Sequence, residues 1–244
     1  MITIEALFPE VCDLYGDGFN LTMLRRTLPD ARIVETPLSD EPYFARNDVQ
    51  LIYMGPMPEH IQELAIERLR PHMDRIRELI EKDVIFLMTG NALEVFGKEI
   101  QDASGKRIPC LGLFEGISKR DLLKPRYNGF YLGEMPDESG SAMEIIGFKS
   151  QFSHTYFDNS GCGAFKNIRG IGICPDAPYE GVRIHNFFGT YLLGPVLVLN
   201  PPFFRYLLRL LGVSDPKLPF EEEMEDAYRQ RLIEFKDPKK SVEF

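Results

Sequence analysis

Apolar and polar positions in the first hundred residues switch between two spacings. Residues 1–8 alternate with a period of two and predict a strand; residues 32–36 predict a second. Residues 49–54 form a short apolar run of the kind found in strands buried on both faces. Between the first two lies a turn-forming stretch, Tyr15-Gly16-Asp17-Gly18-Phe19-Asn20, with Asn20 placed to cap a helix running to Leu28. Ile61, Leu64, Ala65, Leu69, Met73, Ile76, Leu79 and Ile80 recur at helical spacing, and Pro71 should kink that helix or start a second one. A fourth strand is expected over residues 84–88. The order is β-α-β-β-α-β-α.

Short buried strands alternating with amphipathic helices predict an α/β fold with a doubly wound, mostly parallel sheet and flanking helices. Beyond residue 100, residues 107–113, 129–132, 143–148 and 182–188 carry strand patterns, several of them antiparallel. Pro201-Pro202 opens a helix over residues 203–211, and residues 221–235 form a last one with Glu221, Glu222 and Glu223 at its dipole-favoured start. Residues 236–240 read as a solvated tail. No linker or repeat interrupts the chain, so residues 1–244 are expected to form a single domain with a tail from about 236.

Composition narrows the function. With 244 residues and 44% apolar content the chain can bury a large core, and its net charge of −9 disfavours nucleic acid and anionic membranes as partners. No apolar run approaches a bilayer span, and the opening Met1-Ile2-Thr3-Ile4-Glu5 lacks the basic start and apolar stretch of a signal peptide. The expectation is a cytoplasmic protein. The four cysteines, Cys12, Cys110, Cys162 and Cys174, show no metal or redox spacing and are expected reduced and mostly buried. No Walker-type phosphate loop or His-x-x-x-His pair occurs, so neither metal nor cofactor is expected.

Chemistry concentrates at Val84-Ile85-Phe86-Leu87-Met88-Thr89-Gly90-Asn91. Apolar residues end at a small polar one, a glycine follows, and a helical pattern begins. That is how a nucleophile elbow reads, with Thr89 at its apex. A threonine hydroxyl is a poor nucleophile without an activating base.

Several motifs together resemble a known family. Leu7-Phe8-Pro9-Glu10, Leu14-Tyr15-Gly16-Asp17 and Asn20 resemble the opening of class I glutamine amidotransferases of the cobyric acid synthase and lipid II isoglutaminyl synthase type. Thr89-Gly90-Asn91 resembles that family's Cys-Gly-Gly, and residues 186–195, Asn-Phe-Phe-Gly-Thr-Tyr-Leu-Leu-Gly-Pro, resemble its Asn-x-x-Gly-Thr-Tyr-Leu-His-Gly-Pro, with Asn200-Pro201 downstream. The resemblance covers roughly residues 5–211. It implies a fold in which a cysteine thiolate attacks the glutamine amide, a histidine moves the protons, and ammonia passes to a Mur-ligase-like or other ATP-dependent synthetase.

The departures fall on that chemistry. The resemblance puts Thr89 at the cysteine position and Leu193 at the histidine position. Its oxyanion stretch reads Gly55-Pro56-Met57-Pro58, and proline has no N–H to donate. A further motif, Gly-Phe/Tyr-Glu-x-His-x-Gly-Arg-Thr, reads as residues 147–155, with Lys149, Gln151 and His154 at its acid, histidine and arginine positions. The expectation is a degenerate active site in a non-catalytic binding or regulatory subunit, holding a small molecule or a synthetase partner. Ligand-binding candidates are Gly55, Thr89, Gly90, Asn91, Arg126, Gln151 and His154. Two alternatives stay open: an enzyme of different chemistry in the same pocket, with His154 serving Thr89 or Cys162, and a conventional amidotransferase subunit.

Overall fold

The computed structural model describes residues 1–243. The first half runs β1 (Thr3–Leu7), α1 (Phe19–Thr27), β2 (Arg32–Thr36), β3 (Leu51–Met54), α2 (Glu59–Leu69), α3 (Met73–Glu81), β4 (Ile85–Thr89) and the one-turn α4 (Ala92–Val95). The second half supplies β5 (Glu99–Gln101), β6 (Arg107–Pro109), β7 (Ile117–Arg120), β8 (Tyr127–Pro136), β9 (Ala142–Gln151), β10 (Ser153–Tyr156), β11 (Phe165–Arg169), β12 (Tyr179–Glu180), β13 (Val182–Ile184) and β14 (Phe187–Thr190). Helices α5 (Val196–Leu199), α6 (Pro201–Leu210) and α7 (Glu221–Lys236) follow.

The main sheet has the order β13-β14-β4-β3-β1-β2, parallel except for the β13 edge. Period-two alternation sorts its side chains into two cores. On β4, Phe86 and Met88 join α2 and α3 residues such as Ala65, Leu69 and Leu79, while Ile85 and Leu87 join Leu21 and Leu24 of α1 and Phe203 and Leu207 of α6. Each of the larger of these side chains contributes about 1.5–3 kcal/mol by leaving water. Two four-stranded sheets, β10-β7-β5-β6 and β12-β11-β8-β9, come from the second half, largely antiparallel as expected.

Pro71 divides the long helical pattern: α2 ends at Leu69, a tight 3-10 turn spans Arg70–His72, and α3 begins at Met73. Three local expectations are corrected. Asn20 does not cap α1, whose N-cap is Gly18; its buried side-chain oxygen accepts from the Leu197 N–H at 3.0 Å and so fastens α5 to α1. The run 107–113 is strand only over β6. The run 182–188 is a hairpin, because His185 takes a left-handed φ of 52° and turns β13 back onto β14. The C-terminal segment is largely exposed but tied down through its backbone: Arg169 donates to the carbonyls of Phe235, Asp237 and Lys240, and the Phe130 N–H donates to the Val242 carbonyl at 2.8 Å.

Candidate functional site

In parallel α/β sheets, ligands sit beyond the carboxyl ends of the strands. Here four parallel strands open onto one cavity of about 180 Å³. Leu14 and Tyr15 reach it from beyond β1, Pro56, Met57 and Pro58 from beyond β3, Gly90, Asn91 and Glu94 from beyond β4, and Tyr191 and Leu193 from beyond β14. Arg120, Arg126, Ser150, Gln151, Phe152 and Ser153 close the remaining side.

The elbow is present, one residue later than expected. Thr89 is the last residue of β4, paired with Thr190 of β14, and is fully buried. Its hydroxyl donates to the carboxylate of Asp17, which also accepts from the Tyr53 hydroxyl at 2.8 Å. Burial pushes the Asp17 carboxyl up to about 6, against the lowering effect of those two donors. The turn residue is Gly90, with φ +58°, and α4 starts two residues on. Thr89 therefore does not crown the elbow. Gly90 does, and it presents no side chain. A Cβ there would lie 2.6 Å from the Cβ of Pro56 and 3.1 Å from a methyl of Leu193. Leu193 is itself fixed, exchanging two backbone hydrogen bonds with Phe148 of β9 at 2.8 and 3.3 Å.

Asn91 locks the 55–58 stretch against the elbow. Its side-chain oxygen accepts from the Met57 N–H at 2.9 Å and its amide nitrogen donates to the Met57 carbonyl at 2.7 Å. Pro56 and Pro58 have no N–H, so the one donor they flank is already occupied. Gly55 lies outside the cavity lining, packed so close to the Cys12 carbonyl and Tyr53 hydroxyl that only glycine fits.

Sequence reasoning missed the polar centre of the cavity. Glu94, 1% exposed, accepts from the Ser153 hydroxyl, from the Tyr191 hydroxyl at 2.9 Å and from the Gln62 amide at 2.9 Å. Burial raises its pKa, opposed by these donors and by the charge of Arg120. Arg120 is also buried and donates to the Gln62 side-chain oxygen. The one available signal was an acid inside the apolar run Ala92-Leu93-Glu94-Val95-Phe96; Arg120 follows Lys119 and gave none. Arg126 does line the cavity. Its guanidinium lies 4.3 Å from the Phe152 ring centre and 5.6 Å from that of Tyr15, bonds to Ser150 at 3.4 Å, and has no carboxylate partner among the described residues.

Lys149, at the position the resemblance reserves for an acid, is sealed away from the cavity. It donates to the Gly172 carbonyl at 2.6 Å and lies 3.4 Å from Glu180, which in turn holds Thr190 and the Tyr191 N–H. Gln151 reaches the cavity wall, whereas His154 lies in a neighbouring cleft. The Thr89 hydroxyl is committed to Asp17, so His154 does not serve it. Of the four cysteines, Cys12, Cys110 and Cys174 are buried and Cys162 is partly so; all are free thiols, and none lines the cavity. Among the described residues, no group of three or more His, Cys, Asp or Glu is placed to hold a metal, and no helix is long and apolar enough to cross a membrane.

The mostly parallel six-stranded sheet, with a cavity at its strand ends, is an α/β architecture consistent with a glutamine amidotransferase-like fold. No family model matches the chain. It is 24% identical over 202 residues to the lipid II isoglutaminyl synthase (glutamine-hydrolyzing) subunit GatD of Streptococcus pneumoniae, spanning 82% of this chain and 76% of that protein. It is also 24% identical over 225 residues to GatD of Staphylococcus aureus, spanning 90% and 88%. The chain is a distant homologue of GatD.

Proposed function

We propose that this chain is a glutamine amidotransferase-like subunit that binds a small molecule in the elbow cavity and does not hydrolyse glutamine. The observation that carries this reading is Gly90. Covalent amide hydrolysis needs a nucleophile at the turn, a base within hydrogen-bond reach and donors for the oxyanion. At this turn there is no side chain, Pro56 and Leu193 occupy the space one would need, and the Met57 N–H is held by Asn91. No cysteine or histidine is among the residues lining the cavity. Losing either member of a nucleophile–base pair costs several orders of magnitude in rate.

The cavity sets charged and polar side chains beside apolar ones, which supports binding. Arg126 offers a guanidinium unclaimed by any carboxylate among the described residues, suited to an acidic group on the ligand. The name of the relatives describes a subunit of a synthase, and on that analogy this chain would serve an ATP-dependent, Mur-ligase-like synthetase as a structural or regulatory partner. The test is exposure of the purified protein to an electrophilic glutamine analogue, followed by peptide mass mapping. The expected result is no adduct within residues 85–97; an adduct there overturns the proposal.

One contact favours a second reading, an enzyme of different chemistry: the Ser153 hydroxyl donates to the buried Glu94 carboxylate at the cavity wall. Labelling of Ser153 by a serine-directed fluorophosphonate, abolished in Ser153→Ala, would establish that alternative. Absence of labelling favours the binding subunit.

A further inference from the structure

Behind the cavity wall lies a second cleft, of about 510 Å³. The two share Arg120, Gln151 and Phe152 as a common partition. The pleat of the β10-β7-β5-β6 sheet explains the division. Residues directly opposite on paired strands project to the same face, so Ser153 and Arg120, and Thr155 and Ser118, share the inner face. These are all buried. The intervening register row crosses the whole sheet on the outer face: His154 opposite Lys119, Lys119 opposite Gln101, Gln101 opposite Arg107. Tyr156 lies two residues along on that face, and the Lys119 ammonium sits 4.9 Å from its ring centre.

The proton position on His154 follows from its neighbour. The Gln151 amide nitrogen lies 2.6 Å from the Ser153 carbonyl oxygen, which can only accept, so the amide orientation is fixed. The same nitrogen lies 3.0 Å from His154 Nδ1 and must donate to it. Nδ1 is therefore the acceptor, and in the neutral ring the proton resides on Nε2. Nε2 makes no hydrogen bond to the described residues and is not among the buried polar atoms left without a partner, so it is open to solvent. Burial and the nearby Lys149 charge hold the imidazole at about 4, so the neutral form is the one present at pH 7.

We propose that this outer face is a second binding site, for a small ligand bearing an oxyanion, in which His154 donates through Nε2–H alongside the ammonium groups of Lys119 and Lys124. Lys119 has no carboxylate within ion-pair reach among the described residues. Lys124 pairs with Asp121 at 3.1 Å, but the lysine is exposed, and such a pair gives way to a ligand at little cost. The other carboxylate of the cleft, Asp102, is occupied by the Ser104 hydroxyl and by the Ser104 and Lys106 N–H groups. Two ammonium donors and a neutral N–H donor lining one cleft with an aromatic ring suit a phosphoryl or carboxylate oxygen. The site is independent of whether the elbow cavity is catalytic.

The test uses the full chain labelled with 15N in its histidine rings, with the His154 signals assigned by their loss in His154→Gln. Long-range 1H–15N correlations should show an unprotonated Nδ1 and a protonated Nε2. Inorganic phosphate and succinate are then titrated separately at constant ionic strength. At millimolar concentrations at least one should shift Nε2 saturably, and the arm that does so identifies the phosphoryl or carboxylate class. In the double variant Lys119→Ser, Lys124→Ser, which changes only exposed side chains, the apparent affinity should fall about tenfold or more. A protonated Nδ1, the absence of saturation with both anions, or unchanged affinity in the double variant would overturn the proposal.

Discussion

Asp17→Asn should change how stability depends on pH, by an amount the structure sets. Asp17 is buried beneath the elbow, one carboxylate oxygen accepting from Thr89 and Tyr53 and the other without a partner. Burial raises its pKa from 3.8 to about 6. The folded state thus holds the proton more tightly than the unfolded chain does. The resulting stabilisation is full below pH 4 and is lost as the pH rises through 6, because stability falls with pH wherever the native state binds more protons. A separation of about two pH units, at about 1.4 kcal/mol per unit, is worth about 3 kcal/mol. Asparagine keeps an oxygen for Thr89 and Tyr53 but does not titrate. Urea unfolding of both proteins from pH 4 to pH 7.5 measures the difference. Glu5 and Glu94, whose pKa values burial also raises, titrate in both proteins and cancel. Because the unfolded carboxyl is already partly ionised at pH 4, the wild type should lose about 2.5 kcal/mol relative to the variant across that range. Parallel stability curves would refute the assignment of Asp17 as a buried, titrating carboxyl.

Three further substitutions probe the elbow and its surroundings. Gly90→Ala places a Cβ at a φ of +58° and 2.6 Å from Pro56, so it should destabilise by about 2–3 kcal/mol, from about 1–2 kcal/mol of left-handed strain plus overpacking, in chemical denaturation. Asn91→Ala removes both hydrogen bonds to Met57 and should cost about 2 kcal/mol; a cost within error of zero would mean the 55–58 stretch is held by packing alone. Arg169→Ala releases three carbonyls of the C-terminal segment and should speed limited proteolysis after residue 235 while leaving global stability changed by no more than about 1–2 kcal/mol.

The parallel half of the fold was legible because its signals are local. Five-residue apolar strands, a helical period interrupted by Pro71, and glycine after a strand each declare themselves within a dozen residues. The elbow was found but misplaced by one position. The motif match put Thr89 at the apex, but a β-branched residue favours the strand and resists a positive φ, so the turn falls on Gly90. The second-half sheets were poorly legible, since strands such as Glu99–Gln101 and Ile117–Arg120 are too short to show a period. The hairpin at His185 hid because no glycine marks its turn. Asn20 looked like a cap because the partner of its side chain, Leu197, is 177 residues away. Arg169 grips backbone carbonyls, which every sequence has, so the docked tail left no trace in composition. Glu94 and Arg120 meet only through Gln62, across three separate elements.

The central claim, an elbow cavity that binds without turning over glutamine, is tested most directly by measuring glutamate and ammonia release from glutamine by the purified protein, alongside Ser153→Ala and Gly90→Val. The account predicts no release above buffer for any of the three. Release by the wild type that disappears in either variant would contradict it.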